Sequence, residues 1–372
     1  MPTYLELNPW HKRQAALLYH YASLEYLKGL LPLIDEWIAF TDTALNERQL
    51  LDAVGMAHAN WDRVNTTAHF STHAFAAMVE FRENVLWCVN ARTFEKFGIA
   101  GENQCARMLQ EYAGYPDNML WTTPEQQKGF EERAERAFNY AQKISFILAR
   151  PTTRKDFLFW RDWQCDGHVF PKLPKFRVRT DVEGETGQVP PRTGVYVPQE
   201  DPYAALQFAW TGGHGELGDT YTLNEVGRAA LASVGRKGLW GDQDGLQEFI
   251  NRPEYRNLES VDDRSRAKAK LAPSAVSREG FESKPCKWYF VEMVNDEYED
   301  HDGTYSGTGE VTSFQQRIPA GKPAPRAGYW HTPAKQASRR YFKQGDTFPE
   351  IGGSSYGATF WQWSPDQSDP KL

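Results

Sequence analysis

Three side chains in the first half of the chain have the spacing of a metal site. His69 and His73 stand four residues apart in a segment with helical periodicity, and Glu80 follows seven residues later. This spacing would place all three near one face of a helix, as metal binding requires. The pattern differs from the zinc-protease motif HExxH, because Phe70 occupies the position of the glutamate. We therefore expect ordinary structural histidines, with no bound metal or cofactor.

A glycine-rich segment, TGGHGELGD at residues 211–219, is a second place where chemistry could occur. It carries His214 between a predicted strand and a predicted helix, where a phosphate could bind a helix N-terminus. The segment lacks the Lys-Ser or Lys-Thr of a P-loop and the flanks of a dinucleotide fingerprint. Glycine is the usual residue of connecting loops, so we predict a loop. The chain also contains no GxSxG motif.

Two charged segments could instead bind a partner protein. NDEYEDHDG, residues 295–303, concentrates acidic side chains after a predicted strand, and it is interpreted either as a solvated turn or as an acidic finger. SRRYFKQGD, residues 338–346, sets two arginines against Asp346, and arginine is favoured at interfaces. The candidate binding residues are Asp296, Glu297, Tyr298, Glu299, Asp300, Arg339 and Arg340.

Composition narrows the class of protein. The chain has 372 residues, 40 % of them hydrophobic, and a formal net charge of −7. There is no long basic block, which disfavours nucleic-acid binding. No run of 18 apolar residues is present, so we expect no membrane span. The N-terminal sequence has no basic region followed by an apolar one, and the four cysteines form no CxxC pair. These features predict a cytoplasmic location.

The elements that must position these residues divide into two parts. Residues 1–150 have helical periodicity and predict an antiparallel helical bundle. Pro32 should kink or divide the first helical segment, and Asn46 should cap the next. Thr123 and Gln126 form a capping box for the clearest helix. Residues 151–372 predict a β-rich domain with one inserted helix, and a charged linker or mobile excursion lies near 252–284. The predicted fold class is α+β.

The β-rich part contains one short sequence phrase twice. PPRTGVYVP at residues 190–198 leads to the strand LQFAW, and PAPRAGYWHTP at residues 323–333 leads to ATFWQW. Proline suits strand ends and glycine permits a bulge, so the repeat predicts two related hairpin units. The residues of this structural motif are Arg192, Gly194, Trp210, Arg326, Gly328, Trp361 and Trp363.

These phrases, together with TLNEVGRAALASVGRKGLW, resemble the immunity proteins of bacterial polymorphic-toxin and type VI secretion systems. The nearest families are immunity protein 72 and its relative immunity protein 71. The resemblance covers mainly residues 189–240 and 285–363, and it does not extend to a short motif in the helical half. It implies an antitoxin of interbacterial competition, which acts by protein–protein interaction and not as an enzyme.

The resemblance further implies that the chain binds a cognate toxin and occludes its active site. If the chain is cytoplasmic, its toxin should act or be stored in the cytoplasm. The expected toxin is then a nuclease, deaminase, NAD-consuming enzyme or ADP-ribosyltransferase rather than a peptidoglycan hydrolase. The alternative is an enzyme, a hydrolase or a metal-dependent one, that reverses a toxin's modification through His69, His73 or His214. A carbohydrate-binding module built on exposed tryptophans is a third interpretation. The sequence leaves the oligomeric state open.

Overall fold

The computed structural model describes most of the helical half and the central strands of the chain. The described residues are 6–53, 70–97, 123–148, 155–255, 279–300, 318–324, 327–332, 335, 338–351 and 359–363.

The predicted α+β class is confirmed, since helices in the first part precede antiparallel sheets. The chain forms two compact units, Met1–Asp302 and Gly303–Leu372. This division differs from the predicted boundary near residue 150. The reason is that the helices and the first sheet bury their apolar faces against one another, in one cluster that includes Leu17, Phe130 and Val291.

Five helices precede the first strand in the described part of the chain. Their bounds are α1 Pro9–Ala22, α2 Leu24–Ala53, α3 Ala76–Arg92, α4 Pro124–Leu148 and α5 Lys155–Asp166. A π-helical turn, Ser71–Phe75, leads into α3. No helix among the described residues is long and apolar enough to cross a membrane. Helix α5 was not predicted, because its mixture of charged and aromatic residues follows no single periodicity.

Ser23, and not Pro32, divides the first helical segment. The Ser23 hydroxyl donates to the carbonyl of His20 at 2.7 Å and accepts from the Tyr26 N–H at 3.1 Å, so it ends α1 and starts α2. Pro32 lies inside the continuous helix α2. The prediction that Asn46 caps a new helix is wrong, because Asn46 lies within α2. The helical segment that was predicted to follow Asn46 lies largely outside the described residues.

Helix α4 begins where the sequence predicted. The Gln126 N–H donates to the Thr123 hydroxyl at 3.2 Å, while the Gln126 side chain donates to Glu47 instead of closing the box. The helix buries an aromatic face against α2: Tyr140 stacks on Tyr26 with ring centroids 4.1 Å apart. This stacking fixes α2 and α4 against each other.

Two four-stranded antiparallel sheets follow, one in each unit. The first contains β1 Leu173–Glu185, β2 Gly194–Pro198, β3 Gln207–Ala209 and β6 Lys287–Glu299, in the order β1-β6-β2-β3. The second contains β7 Ile318–Pro319, β8 Gly328–His331, β9 Arg340–Phe342 and β10 Phe360–Trp363, in the order β7-β10-β8-β9. The fourth strand of each set therefore inserts between its first and second strands.

The repeated phrase begins the second strand of each sheet in the same register. Gly194 and Gly328 both have φ of 151°. Each glycine lies opposite the last residue of the next strand, Ala209 in β3 and Phe342 in β9. The next pairs are Val195 with Phe208 and Tyr329 with Tyr341. We therefore treat Val195 and Tyr329 as corresponding positions, and Phe208 and Tyr341 likewise.

The tryptophans correspond differently from the sequence alignment. The sequence segments LQFAW and ATFWQW end at Trp210 and Trp363, which suggests that these two tryptophans correspond. They do not, because Trp210 follows β3 whereas Trp363 lies on β10. In the first sheet Phe290 pairs with Tyr196, and Trp288 lies two residues before Phe290. In the second sheet Trp363 pairs with Trp330, and Trp361 lies two residues before it. Trp288 and Trp361 are therefore the corresponding residues, and both are buried.

A two-stranded sheet and two helices are inserted between β3 and β6. The strands are β4 Thr220–Leu223 and β5 Phe281–Lys284, and the helices are α6 Glu225–Gly241 and α7 Gln243–Ile250. Asn224 caps α6 by accepting from the Gly227 N–H at 3.0 Å, whereas the sequence TLNE suggests a capping box that starts at Thr222. Gly235 is not helical, with φ of 70° and ψ of 172°, and it divides α6 at a kink into two helical parts.

The charged linker predicted near 252–284 is structured at its end, where β5 pairs with β4. Residues 256–278 of this linker lie outside the described part of the chain. Strand β5 was not predicted because only Phe281 of its four residues is buried, so it shows no alternation.

Candidate functional site

In the described part of the acidic segment, residues 295–299 belong to strand β6 and not to a loop. Strand β6 continues through Glu299, and Tyr298 and Glu299 pair with Pro174 and Leu173 of β1. A β-bulge interrupts the ladder just before them, and Asp296 adopts φ of 60° there. The bulge explains the error, because it breaks the alternation by which a strand is predicted.

Lysines from neighbouring elements pair with most of these carboxylates. Lys12 of α1 lies 2.6 Å from Glu299, and Lys175 of β1 lies 3.1 Å from Glu297. Lys172 lies 3.3 Å from Asp300. Pairs this exposed are each worth well under about 1 kcal/mol. The three lysines nevertheless offset much of the negative charge of the segment. The segment is therefore a surface of mixed charge, and not a finger of unpaired acidic side chains.

Tyr298 is the most exposed aromatic residue of this strand end. Its exposed fraction is 59 %, and Met293 beyond the bulge is 39 % exposed. Both sit on a strand whose partner, β1, is thirteen residues long. A tyrosine held on a paired strand loses little conformational freedom on binding, as interface anchors require. Tyr298 with Asp296 therefore forms the core of a first candidate surface, which we name the β6-end surface.

Arg339 and Arg340 lie on the second sheet and stack on its aromatic rings. The Arg339 guanidinium lies 4.1 Å from the Tyr329 ring centroid. The Arg340 guanidinium lies 4.8 Å from Phe342 and 4.7 Å from Trp361. Such cation–π contacts hold the planar guanidinium groups in place. Asp346, the carboxylate that the sequence set against them, accepts a hydrogen bond from the Lys343 N–H at 2.6 Å.

One face of the second sheet carries tyrosines at its surface. Tyr329 and Tyr341 lie opposite each other with ring centroids 5.4 Å apart, and Tyr341 is 54 % exposed. His331 follows Tyr329 on the same face. We call Tyr329, His331 and Tyr341 the tyrosine face. The opposite face packs Trp330, Phe342, Phe348 and Trp361 into the core of the unit.

The residues of the repeated phrase have structural contacts. The Arg192 guanidinium lies 5.9 Å from the Phe290 ring, and the Arg192 carbonyl accepts from the Tyr196 hydroxyl at 2.7 Å. Trp361 is 1 % exposed and donates its indole N–H to the Pro349 carbonyl at 2.9 Å. Trp363 pairs through its backbone with Trp330. Arg326 lies outside the described residues.

The glycine-rich loop encloses Trp210. The Trp210 N–H donates to the Gly215 carbonyl at 3.3 Å, and its indole N–H donates to the Gly213 carbonyl at 3.3 Å. A β-carbon on Gly215 would lie 2.1 Å from the Trp210 carbonyl oxygen, which explains the glycine. His214 is exposed with φ of 65°. These contacts agree with the predicted connecting loop.

The predicted metal ligands are only partly described. His73 is exposed in the π-helical turn and Glu80 is half-buried in α3, while His69 lies outside the described residues. In the described part of the chain, no group of three or more His, Cys, Asp and Glu side chains is arranged to hold a metal ion.

A buried carboxylate that the sequence did not signal joins three helices. Asp156 of α5 accepts from Arg236 of α6 at 2.8 Å, from the Trp240 indole at 2.9 Å and from the Trp10 indole of α1 at 3.2 Å. Asp156 is 4 % exposed, so these charge-assisted bonds compensate for its burial. Each of the three partners is 80 or more residues away from Asp156 in sequence, so no local pattern connects them.

A second buried cluster lies between α1, α4 and α5. Asp166 accepts from the Tyr21 hydroxyl at 2.6 Å and forms an ion pair with Lys143. Burial, and then the nearby Asp162 and Asp166 carboxylates, raises the pKa of Tyr21. Burial also raises the pKa of Asp162, whose Oδ1 accepts from Arg161. These groups stabilise the helix packing, and their hydrogen bonds run within the protein.

Comparison with protein-family models, with curated proteins and with solved structures finds no significant match to this chain.

Proposed function

We propose that this chain is an immunity protein that binds a cognate secreted antibacterial toxin and neutralises it by occluding the toxin's active site. The resemblance of the two Pro-Arg-x-Gly phrases to immunity proteins 72 and 71 motivates the proposal. The observation that carries it is the pair of exposed tyrosines, Tyr298 and Tyr341, each held on a paired strand. Tyrosine and arginine at ordered positions supply most of the binding energy in protein interfaces.

The β6-end surface is the proposed contact with the toxin's active site. Tyr298 supplies the apolar contact area, and Asp296 supplies a carboxylate that has no hydrogen-bond or ion-pair partner among the described residues. Lys172 and Lys175 hold the flanking carboxylates Asp300 and Glu297, so the strand end is ordered before the partner arrives. A basic cleft that binds a nucleotide, NAD or nucleic acid would complement this surface, and we place such a toxin in the cytoplasm.

The test is co-expression of the chain with the toxin encoded next to it, with growth as the readout. Tyr298→Ala with Asp296→Lys should abolish protection and weaken binding by about 30-fold or more, the effect of losing one hot spot. Reversing the charge of Asp296, Glu297, Glu299 and Asp300 together would be harder to interpret. That variant also breaks the ion pairs of Glu297, Glu299 and Asp300 with lysines.

Glu135→Lys is the matched control, since Glu135 is an exposed acid on α4, away from β6. The control should protect as the wild type does. Full protection by the double variant, with unchanged affinity in calorimetry, would remove the β6-end surface from the proposal. Absence of any binding between the wild-type chain and the neighbouring toxin would reject the function itself.

A further inference from the structure

Helix α3 and the turn that follows it expose two large aromatic side chains on one side. The inner side of the helix contributes Met78, Phe81 and Val85 to the core of the first unit. On the outer side, Trp87 is 53 % exposed and Phe94 is 77 % exposed. The two aromatics are seven residues apart, which is two helical turns, so they share this side. A helix that is apolar on both sides is usually buried on both, and a second contact is therefore expected here.

The backbone at the end of α3 holds Phe94 in place. The N–H groups of Phe94 and Lys96 both donate to the Ala91 carbonyl, at 3.0 and 3.1 Å. Glu95 has φ of 55°, which ends the helical path at this point. The Arg92 guanidinium donates to the last carbonyl of α1 at 2.7 Å, so the end of α3 is tied to a neighbouring helix. Aromatic side chains on such an ordered backbone lose little conformational freedom when they bind.

The polar residues around the two aromatics differ in charge from one end to the other. Glu83 lies one turn before Trp87, Lys96 lies two residues after Phe94, and Asn90 lies between the aromatics, all three exposed. Glu83 and Lys96 form no ion pair within the described part of the chain. The outer side of α3 thus carries an acid at one end, a base at the other and aromatic rings between them.

This order is complementary to itself when two copies of α3 run antiparallel. Trp87 lies three residues before Asn90 and Phe94 lies four residues after it, about 4.5 and 6 Å along the helix axis. A two-fold axis at Asn90 therefore brings Trp87 of each copy against Phe94 of the other. The same axis places Glu83 beside the helix end that carries Lys96. Such contacts, made by the same residues of both copies, are typical of two-fold dimers.

We propose that two copies of this chain form a symmetric dimer through the outer side of α3. We name this surface the α3 face, and its residues are Glu83, Trp87, Asn90, Phe94 and Lys96. Two aromatic side chains from each copy make a small interface, so the dimer should form and dissociate with concentration. The proposal goes beyond the proposed function and does not rest on it.

Sedimentation equilibrium of the full-length chain tests the dimer directly. Between about 1 and 200 μM, the average mass should rise from 42.6 kDa towards twice that value. Trp87→Ala and Phe94→Ala should each weaken self-association at least about tenfold, since each removes a central aromatic anchor. Tyr341→Ala is the matched control, because Tyr341 is an aromatic residue of similar exposure, 54 %, outside α3. This control should associate as the wild type does.

Exchange of the two charges tests the antiparallel arrangement. Glu83→Lys and Lys96→Glu should each weaken the dimer by about threefold or more, because like charges then meet at both ends of the contact. The double variant restores opposite charges and should recover most of the association. Recovery also shows that the single variants are folded.

Three results would overturn the proposal. They are a wild-type chain that stays monomeric over this range, self-association that Trp87→Ala leaves unchanged, and a double charge variant that associates no better than the single ones. Loss of toxin binding by Trp87→Ala, in a wild-type chain that stays monomeric, would assign the α3 face to the toxin instead. Dimerisation of a chain that does not bind the neighbouring toxin would support the dimer and reject the immunity function.

Discussion

The two four-stranded sheets share strand order, register and the repeated phrase, yet they are stabilised differently. The first sheet is buried on both faces, by helix α1 on one side and by its own Trp288 cluster on the other. Among the described residues, the second sheet buries one face around Trp361, and Tyr341 on its other face is exposed. The comparison shows that corresponding positions of one strand arrangement can be buried in one sheet and exposed in the other, as Phe208 and Tyr341 are.

The largest expected effect comes from the two corresponding tryptophans. Trp288→Ala and Trp361→Ala should each cost about 3–5 kcal/mol of stability in the unit that holds them, because each removes a fully buried indole. Hydrogen exchange followed by segment should show loss of protection in the first sheet for Trp288→Ala and in the second for Trp361→Ala. Equal loss in both sheets for either variant would show that the two units do not unfold separately.

The difference between the two sheets at corresponding positions is tested by comparing the stability of Phe208→Ala with that of Tyr341→Ala. Phe208 is 7 % exposed beneath the helices, and its loss should cost about 3 kcal/mol or more of the free energy of unfolding. Tyr341 is 54 % exposed, so its replacement should change stability by less than about 0.5 kcal/mol. Urea denaturation of the two variants measures both values, and a large cost for Tyr341→Ala would mean that the tyrosine face is already covered.

Lowering the pH should reduce the free energy of unfolding, because His11 of α1 takes up a proton when the protein unfolds. His11 donates from Nε2 to the Ala204 carbonyl at 2.9 Å, and burial lowers its pKa to about 4. Since the unfolded histidine has a pKa near 6.5, the unfolded state takes up the proton first as the pH falls. Stability that is present above pH 6.5 is therefore lost between pH 6.5 and about 4, by up to about 3 kcal/mol.

The control for this pH effect is His11→Gln, which keeps an N–H donor and does not titrate. The difference in unfolding free energy between wild type and variant should shrink or reverse sign as the pH falls through this window. A difference that stays constant with pH would show that His11 is not responsible. Using the difference removes the opposing contribution of Asp162, whose raised pKa favours the folded state on acidification.

Apart from Tyr341→Ala, the smallest expected losses of stability come from the two glycines of the repeated phrase. Gly194→Ala and Gly328→Ala should each cost about 1–3 kcal/mol, because φ of 151° is a strained conformation for alanine. Gly194→Ala should cost more, since its β-carbon would lie 2.6 Å from the Phe290 ring. Thermal unfolding of both variants is the measurement. A neutral Gly328→Ala would indicate that the second sheet relaxes where the first cannot.

Local signals predicted much of the fold. The strands β2, β3, β8 and β10 lie in the repeated phrase and in the segments that it leads to, where strands were predicted, and β6 includes the strand predicted before the acidic segment. The Thr123 cap and the two Pro-Arg-x-Gly phrases are also local features, because capping bonds and backbone angles depend on residues close in sequence. The shorter elements β4, β5, β7 and β9 and the helix α7 were missed, since two to eight residues carry too little periodicity.

The candidate site depended more on tertiary contacts. The sequence identified Tyr298, Arg339 and Arg340 as candidate binding residues, but it did not show that Lys12, Lys172 and Lys175 pair with the acidic residues beside Tyr298. It also gave no reason to single out Tyr329 or Tyr341. Tyr329 lies in the repeated phrase and Tyr341 in the segment that was singled out for its arginines. Exposure of a sheet face depends on what packs on it, which neither segment specifies.

The sequence by itself determined the fold class, the strand-forming phrases and the types of residue available for binding. Only the tertiary structure decided that a helix shares its core with the first sheet and that Trp361 corresponds to Trp288. It alone showed that Phe208 is buried whereas the corresponding Tyr341 is exposed. The physical reason is that periodicity and caps act over a few residues, whereas burial, ion pairing and register join residues more than a hundred positions apart.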